Sequence, residues 1–122
     1  MARPFDFNAT ERFDARFRQS GRCACCNVDL NSVVEHAHHV VPNQSGSLDT
    51  PQHAWLRTQI NCVVLCEMCH VRVHQDGRFA TGAVAPPDYY PHSHGRNAAQ
   101  HRVWALDLNA RTRLLYSNTE RK

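Results

Sequence analysis

The sequence predicts a small single domain of the α+β class over residues 1–122. A chain of this length falls within the size range of one domain. Its composition, 42% hydrophobic and 20% charged residues, is typical of a globular protein and excludes a disordered or fibrous one. Helical and strand patterns both occur, and no apolar run approaches the roughly 20 residues that span a bilayer.

The first expected element is a helix that begins after an N-cap at Asn8 and ends near Ser20. A short polar side chain at the N-cap accepts a hydrogen bond from a free N–H group of the first helical turn. Phe13 and Phe17 lie four residues apart and would share one face of this helix. Gly21 is well placed to end it, because glycine readily adopts the left-handed conformation at a helix C-terminus.

Two strands and two helices are expected in the middle of the chain. Residues 33–37 are expected to form a short strand, and the apolar, β-branched run 60–65 a buried one. Between them, Pro51 marks the start of a short helix through Leu56. Residues 66–75 leave room for about two helical turns directly after the second strand.

The C-terminal part, residues 77–122, is predicted to be a long loop followed by a β-hairpin. Prolines and glycine interrupt any periodic element up to about residue 98. Trp104, Leu106 and Leu108 then alternate with smaller or polar residues, as in a half-buried strand. A helix is the other interpretation of this pattern.

The chain contains six cysteines and nine histidines, an unusual number for its length. Its beginning lacks the apolar core of a signal peptide, so we expect it in the cytoplasm or on a secretion route that needs no such peptide. In that setting clustered cysteines favour metal thiolates, with disulfides as the alternative. The cysteines fall into two groups: Cys23, Cys25 and Cys26, then Cys62, Cys66 and Cys69.

Two C-x-x-C pairs within these groups predict a structural zinc site. Cys23 and Cys26 form one pair, and Cys66 and Cys69 form the other. Each such turn presents two thiolates to a tetrahedral ion at about 2.3 Å, and two turns complete its four ligands. Cys25 is an alternative to Cys23 or Cys26. We expect Cys23 and Cys26 instead, because a one-residue gap rarely lets two thiolates reach the same ion.

A second candidate metal site involves histidines. His70 and His74 lie four residues apart in an expected helix, so both imidazoles can reach one ion. The strand that ends in His38 and His39 could supply a third ligand and a base. One alternative is that His70 and His74 are ordinary surface histidines. Another is that His36 replaces His38 as ligand, because the two would share a strand face.

One ordered series of residues runs through both candidate sites: His38-His39-Val40-Val41-Pro42, then Asn61, then Cys66-x-x-Cys69-His70-x-x-x-His74. This series resembles the HNH endonucleases of the His-Me finger, or ββα-metal, superfamily. The resemblance covers about residues 22–76, just under half of the chain. The spacings from Asn61 to His70 and His74 are similar to those of the colicin-type branch, in which three histidines bind the metal. That branch lacks the cysteine pairs, so the chain combines features of two HNH subgroups.

The resemblance implies a ββα-metal core stabilised by the structural zinc, and it gives each matching residue a role. His38, His70 and His74 would bind a second divalent ion, for which Zn, Ni, Mn or Co suits three imidazoles better than Mg. His39 would be the general base, since a neutral imidazole can take a proton from water at physiological pH. Asn61 would orient His39 or bridge the ends of the loop.

Nucleic acid is the expected partner. The net charge is +3, and the cations are almost all arginine, whose planar fork suits contacts to phosphate. Arg72 lies in the helix expected to carry the histidines, and Arg57 and Arg78 flank it in sequence. These three arginines are candidates for substrate binding, with an ordinary solvated arginine as the alternative for each.

The sequence therefore predicts a metal-dependent endonuclease that hydrolyses phosphodiester bonds in DNA, and the resemblance implies 5′-phosphate and 3′-hydroxyl products. A non-catalytic zinc module that binds nucleic acid or protein is the alternative. Such a module would need the cysteines but has no use for His38, His39, Asn61 and His74 together. The Pro- and Tyr-rich tail with His94-Gly95 also resembles, more loosely, the nuclease domains of secreted bacterial toxins. That antibacterial role would add an immunity protein as a partner.

Overall fold

The structure is a computed structural model that describes residues 6–41, 49–75, 90 and 98–120. The two strands form one antiparallel sheet, and helices pack around it, so the predicted α+β class is confirmed. Within the described residues, 3-10 turns lie between these elements at Leu30–Ser32, Pro51–Arg57 and Gln59–Asn61. The helices and strands are α1 (Ala9–Arg18), β1 (Glu35–His39), β2 (Cys62–Cys66), α2 (Glu67–Gln75) and α3 (Ala98–Glu120).

Helix α1 begins as predicted. The side chain of Asn8 accepts a hydrogen bond of 2.8 Å from the backbone N–H of Glu11 and caps the first turn. The helix ends at Arg18, before the expected boundary, because both Ser20 and Gly21 have positive φ angles of 59° and 71°. These left-handed residues turn the chain directly towards the first cysteine pair.

Strands β1 and β2 pair from Glu35 opposite Cys66 to His39 opposite Cys62. Both begin two residues later than predicted. The chain just before β1 is exposed, and the backbone carbonyl of Val34 already accepts a hydrogen bond from the N–H of Glu67. All five side chains of β2 are buried, which agrees with its continuous apolar sequence.

The end of α1 occupies the other edge of β2. The side-chain amide of Gln19 donates to the carbonyl of Val64 and accepts from its N–H, both at 2.8 Å, and so imitates a paired strand. The guanidinium of Arg18 donates to the carbonyls of Gln59 and Cys62. These bonds satisfy the backbone of β2 and bring the turn after α1 close to the end of that strand.

The hairpin prediction for the C-terminal part is wrong, because residues 98–120 form helix α3. Trp104, Leu108 and Thr112 are buried at four-residue spacing, whereas Leu106 is 64% exposed. Trp104 and Leu108 therefore lie on one buried face of the helix, and Leu106 lies between them in sequence on the exposed side. This spacing imitates the alternation of a strand. Trp104 attaches α3 to the core by donating from Nε1 to the carbonyl of Ile60 at 3.0 Å. Among the described helices, none is long and apolar enough to cross a membrane.

Candidate metal centres

The four cysteines of the two C-x-x-C pairs come together. The Sγ atoms of Cys23, Cys26, Cys66 and Cys69 all lie within 4.8 Å of one another, and those of Cys26 and Cys66 are 3.8 Å apart. A tetrahedral ion with bonds of about 2.3 Å separates its ligand atoms by about 3.8 Å. This cysteine cluster could therefore hold a metal ion such as zinc.

Local backbone structure presents these thiols. A tight turn follows Cys23, whose N–H donates to the carbonyl of Val28 at 2.9 Å and whose carbonyl accepts from Asn27 at 3.0 Å. Asn27 has a φ of 70°, which closes the turn. The second pair straddles a junction, because Cys66 ends β2 and Cys69 lies in the first turn of α2.

The environment of Cys23 favours its thiolate. Burial opposes ionisation, but backbone N–H groups outweigh it and lower the pKa of Cys23. The N–H groups of Cys25 and Cys66 each donate to its Sγ at 3.4 Å. A thiolate is the form that binds a metal, so the turn prepares Cys23 for that role.

Cys25 and Cys62 lie outside the cysteine cluster, in agreement with the preferred ligand set. Burial raises the pKa of Cys25 to about 12, and the neighbouring charges of Cys23 and Cys26 act in the same direction. Burial likewise raises the pKa of Cys62 to about 12. All six cysteines are free, so the disulfide alternative finds no support among them.

Three of the candidate histidines also come together. Ring nitrogens of His38, His70 and His74 lie within 4.8 Å of one another, and the Nε2 atoms of His70 and His74 are 3.0 Å apart. His70 and His74 share one face of α2, and His38 reaches them from β1. We call these three residues the histidine cluster.

The three imidazoles differ in burial. His38 is buried, His70 is half-buried and His74 is exposed. Burial, assisted by the charges of His70, His74 and His39, lowers the pKa of His38 to about 3. His38 is therefore neutral at physiological pH, which is the form in which imidazole binds a metal ion.

His39, the expected base, is not part of this cluster. Side chains alternate along β1, so His36 and His38 face α2 while His39 points to the other side of the sheet. There its ring stacks on Phe7, with centroids 4.0 Å apart and planes at 18°, and it is 7% exposed. His38 and His39 nevertheless both lie at the end of β1.

Asn61 bridges the two ends of the loop, the second of the roles expected for it. Its Oδ1 accepts from the N–H of Val41 at 2.7 Å. Its Nδ2 donates to the carbonyls of Val41 and Leu56, both at 3.0 Å. The side chain is fully buried, so these bonds fix the chain just after β1 against the chain just before β2.

Of the three candidate arginines, Arg72 can be placed relative to the histidine cluster, and it faces away from that cluster. Arg72 lies two residues from both His70 and His74 on α2, which places it about 160° around the helix from each of them. Its charge acts on Cys25 instead. Arg57 is exposed at the end of the turn Pro51–Arg57, and Arg78 lies outside the described residues.

Sequence reasoning missed two aromatic neighbours of the histidines, Phe7 and Tyr90. Tyr90 is buried with its ring 6.3 Å from that of His38. Neither residue stands at a spacing that would link it to a histidine in the sequence.

Comparisons with protein-family models, with curated proteins and with solved structures find no match for this chain.

Proposed function

We propose that the protein is a metal-dependent endonuclease of the HNH type that hydrolyses phosphodiester bonds in DNA. The observation that carries this proposal is the approach of His38, which lies in β1, to His70 and His74, which lie in the helix that follows the partner strand β2. A strand pair followed at once by a helix is the order expected for a ββα-metal core. The cysteine cluster would hold a structural zinc ion beside it.

The donor set of the histidine cluster fits a divalent ion. Three imidazoles suit Zn, Ni, Mn or Co, and the exposure of His74 leaves one side of the cluster open to solvent. When bound, such an ion would supply Lewis-acid polarisation of the scissile phosphate and stabilisation of the leaving oxygen.

The proposed role of His39 is to remove a proton from the attacking water. In phosphoryl transfer the attacking and leaving oxygens lie roughly in line on opposite sides of phosphorus. A base and a metal-binding cluster on opposite faces of one strand end are compatible with that requirement. Stacking on Phe7 covers one face of the His39 ring and fixes the plane of that ring. His39 would then hold the proton while the new P–O bond forms.

A non-catalytic zinc module is the second candidate. The observation that favours it is the burial of His39 on the sheet face away from the histidine cluster. Such a module would retain its zinc ion and its fold but would leave DNA intact.

Plasmid cleavage with a series of divalent metals distinguishes the two functions. We expect the wild type to nick and linearise the plasmid, leaving 5′-phosphate ends, and His39→Ala to be slower by about 10²–10⁴-fold. His101→Ala, a half-exposed histidine on α3, is the matched control and should cleave normally. No cleavage by the wild type with any metal would favour the zinc module. Growth arrest on expression, relieved by His39→Ala, would favour the toxin role.

A further inference from the structure

A fourth histidine, His36, lies beside the histidine cluster without belonging to it. Its ring stacks on that of His70, with centroids 4.9 Å apart and an angle of 23° between the planes. Its Nε2 lies 3.9 Å from Oε2 of Glu67, the first residue of α2. We propose that His36 is a positioning residue that orients the ring of His70 for metal binding, and that Glu67 holds His36. The inference rests on the metal site of the proposed function.

The arrangement follows from the strand and the helix. His36 and His38 point to the same side of β1, one strand period apart. Glu67 and His70 lie three residues apart and share a face of α2. The imidazole of His36 therefore lies against two neighbouring residues of α2. The flat side of the ring stacks on His70, and the Nε2 edge points towards Glu67.

His70 has more to gain from such support than His38. His38 is buried in the core, whereas His70 is half-buried on a helix and its ring is less enclosed. Binding an ion must stop any remaining rotation of the His70 ring, and the lost freedom reduces affinity. A ring stacked against His70 restricts the rotation before the ion arrives. Neighbours that orient ligand imidazoles commonly affect metal affinity.

The geometry also distinguishes this role from that of a ligand. A ligand imidazole points a ring nitrogen, and therefore its edge, at the ion. His36 instead presents its ring face to His70 and its edge to Glu67. His36 is thus suited to support a ligand rather than to replace His38.

The test is calorimetric titration of Ni²⁺ into the full chain with its cysteine cluster already loaded with one zinc ion. We expect His36→Ala to weaken Ni²⁺ affinity about 3- to 10-fold, which corresponds to the loss of one aromatic stack. His36→Phe retains a flat ring without a metal-binding nitrogen and should restore the affinity. Glu67→Gln should cause a smaller loss than His36→Ala. His101→Ala is the control for removing a half-exposed histidine.

Each outcome decides the role of His36. If His36→Phe loses Ni²⁺ as completely as His38→Ala, His36 is a ligand and the positioning role is overturned. Wild-type affinity in His36→Ala overturns it as well, and so does a wild type that does not bind Ni²⁺. A protein that binds Ni²⁺ with the expected dependence on His36 but does not cleave DNA would refute the proposed nuclease and leave this inference standing.

Discussion

The cysteine and histidine clusters lie next to each other in sequence at Cys69 and His70, yet their surroundings differ. The cysteine cluster joins two parts of the chain that are 40 residues apart, and three of its four members are buried. The histidine cluster also joins distant parts of the chain, β1 and α2, but its burial decreases from His38 through His70 to His74.

This difference separates a centre that stabilises the fold from a centre that can meet a ligand. An ion held by four thiolates has no free coordination position for a substrate. An ion held by three imidazoles, one of them exposed, has a fourth coordination position open. Because α2 carries residues of both clusters, a metal ion in the cysteine cluster would also fix the helix that presents His70 and His74. We therefore expect loss of the cysteine cluster to abolish the histidine cluster, but not the reverse.

The largest effect is expected from breaking the cysteine cluster. Cys66→Ala should unfold the protein at ambient temperature, because structural zinc contributes folding free energy on the order of 10 kcal/mol in small domains. Thermal melting by circular dichroism and zinc content by elemental analysis measure this. Cys25→Ala and Cys62→Ala are matched controls outside the cluster and should be mild. Damage from Cys25→Ala equal to that from Cys23→Ala would contradict the ligand assignment.

The histidines should show the opposite behaviour, with loss of activity and little loss of fold. His74→Ala and His38→Ala should weaken binding of the second ion, and raising the metal concentration should partly restore cleavage. His39→Ala should bind the ion normally and cleave DNA about 10²–10⁴-fold more slowly. Calorimetry and cleavage rates on the three variants test this. If His39→Ala loses the second ion and His38→Ala retains it, then His39 is the ligand and His38 is the base.

Asn61→Ala should reduce stability, because Asn61 belongs to neither cluster but holds the loop between β1 and β2 together. The substitution leaves the N–H and carbonyl of Val41 and the carbonyl of Leu56 without their side-chain partner in the buried core. Unsatisfied buried groups cost about 1–3 kcal/mol each, so we expect the free energy of unfolding, measured by urea denaturation, to fall by at least about 3 kcal/mol. Unchanged stability together with lost cleavage would instead indicate that Asn61 acts by orienting His39.

The smallest expected effect is a dependence of stability on pH that originates at His38. Its pKa falls from the ordinary 6.5 to about 3 in the folded protein. Between these values the unfolded chain binds a proton that the folded state does not, so stability decreases as the pH falls through this window. The slope for one such group is at most about 1.4 kcal/mol per pH unit. Urea unfolding at pH 7 and pH 5 measures this dependence. The free energy of unfolding should change less between the two pH values in His38→Gln than in the wild type, whereas His101→Ala should match the wild type.

Local sequence signals predicted much of the fold and both clusters. The N-cap at Asn8, the buried run of β2 and the helical spacing of His70 and His74 depend on near neighbours, so the sequence was enough to place them. The two C-x-x-C pairs likewise carry their own geometry, because a short turn fixes the direction of both thiols. Residues 104–108 show the limit of such signals, since a strand and one helical face produce a similar pattern over so few positions.

By itself, the sequence determined which residues could bind a metal and how they are spaced. Only the tertiary structure decided that His36 stacks on His70 rather than entering the cluster, and that His39 turns away from His38 to meet Phe7. It also decided that Asn61 closes a loop and that Arg72 points away from the histidines. These outcomes depend on which faces of β1 and α2 meet, and that is set by packing between segments far apart in the chain.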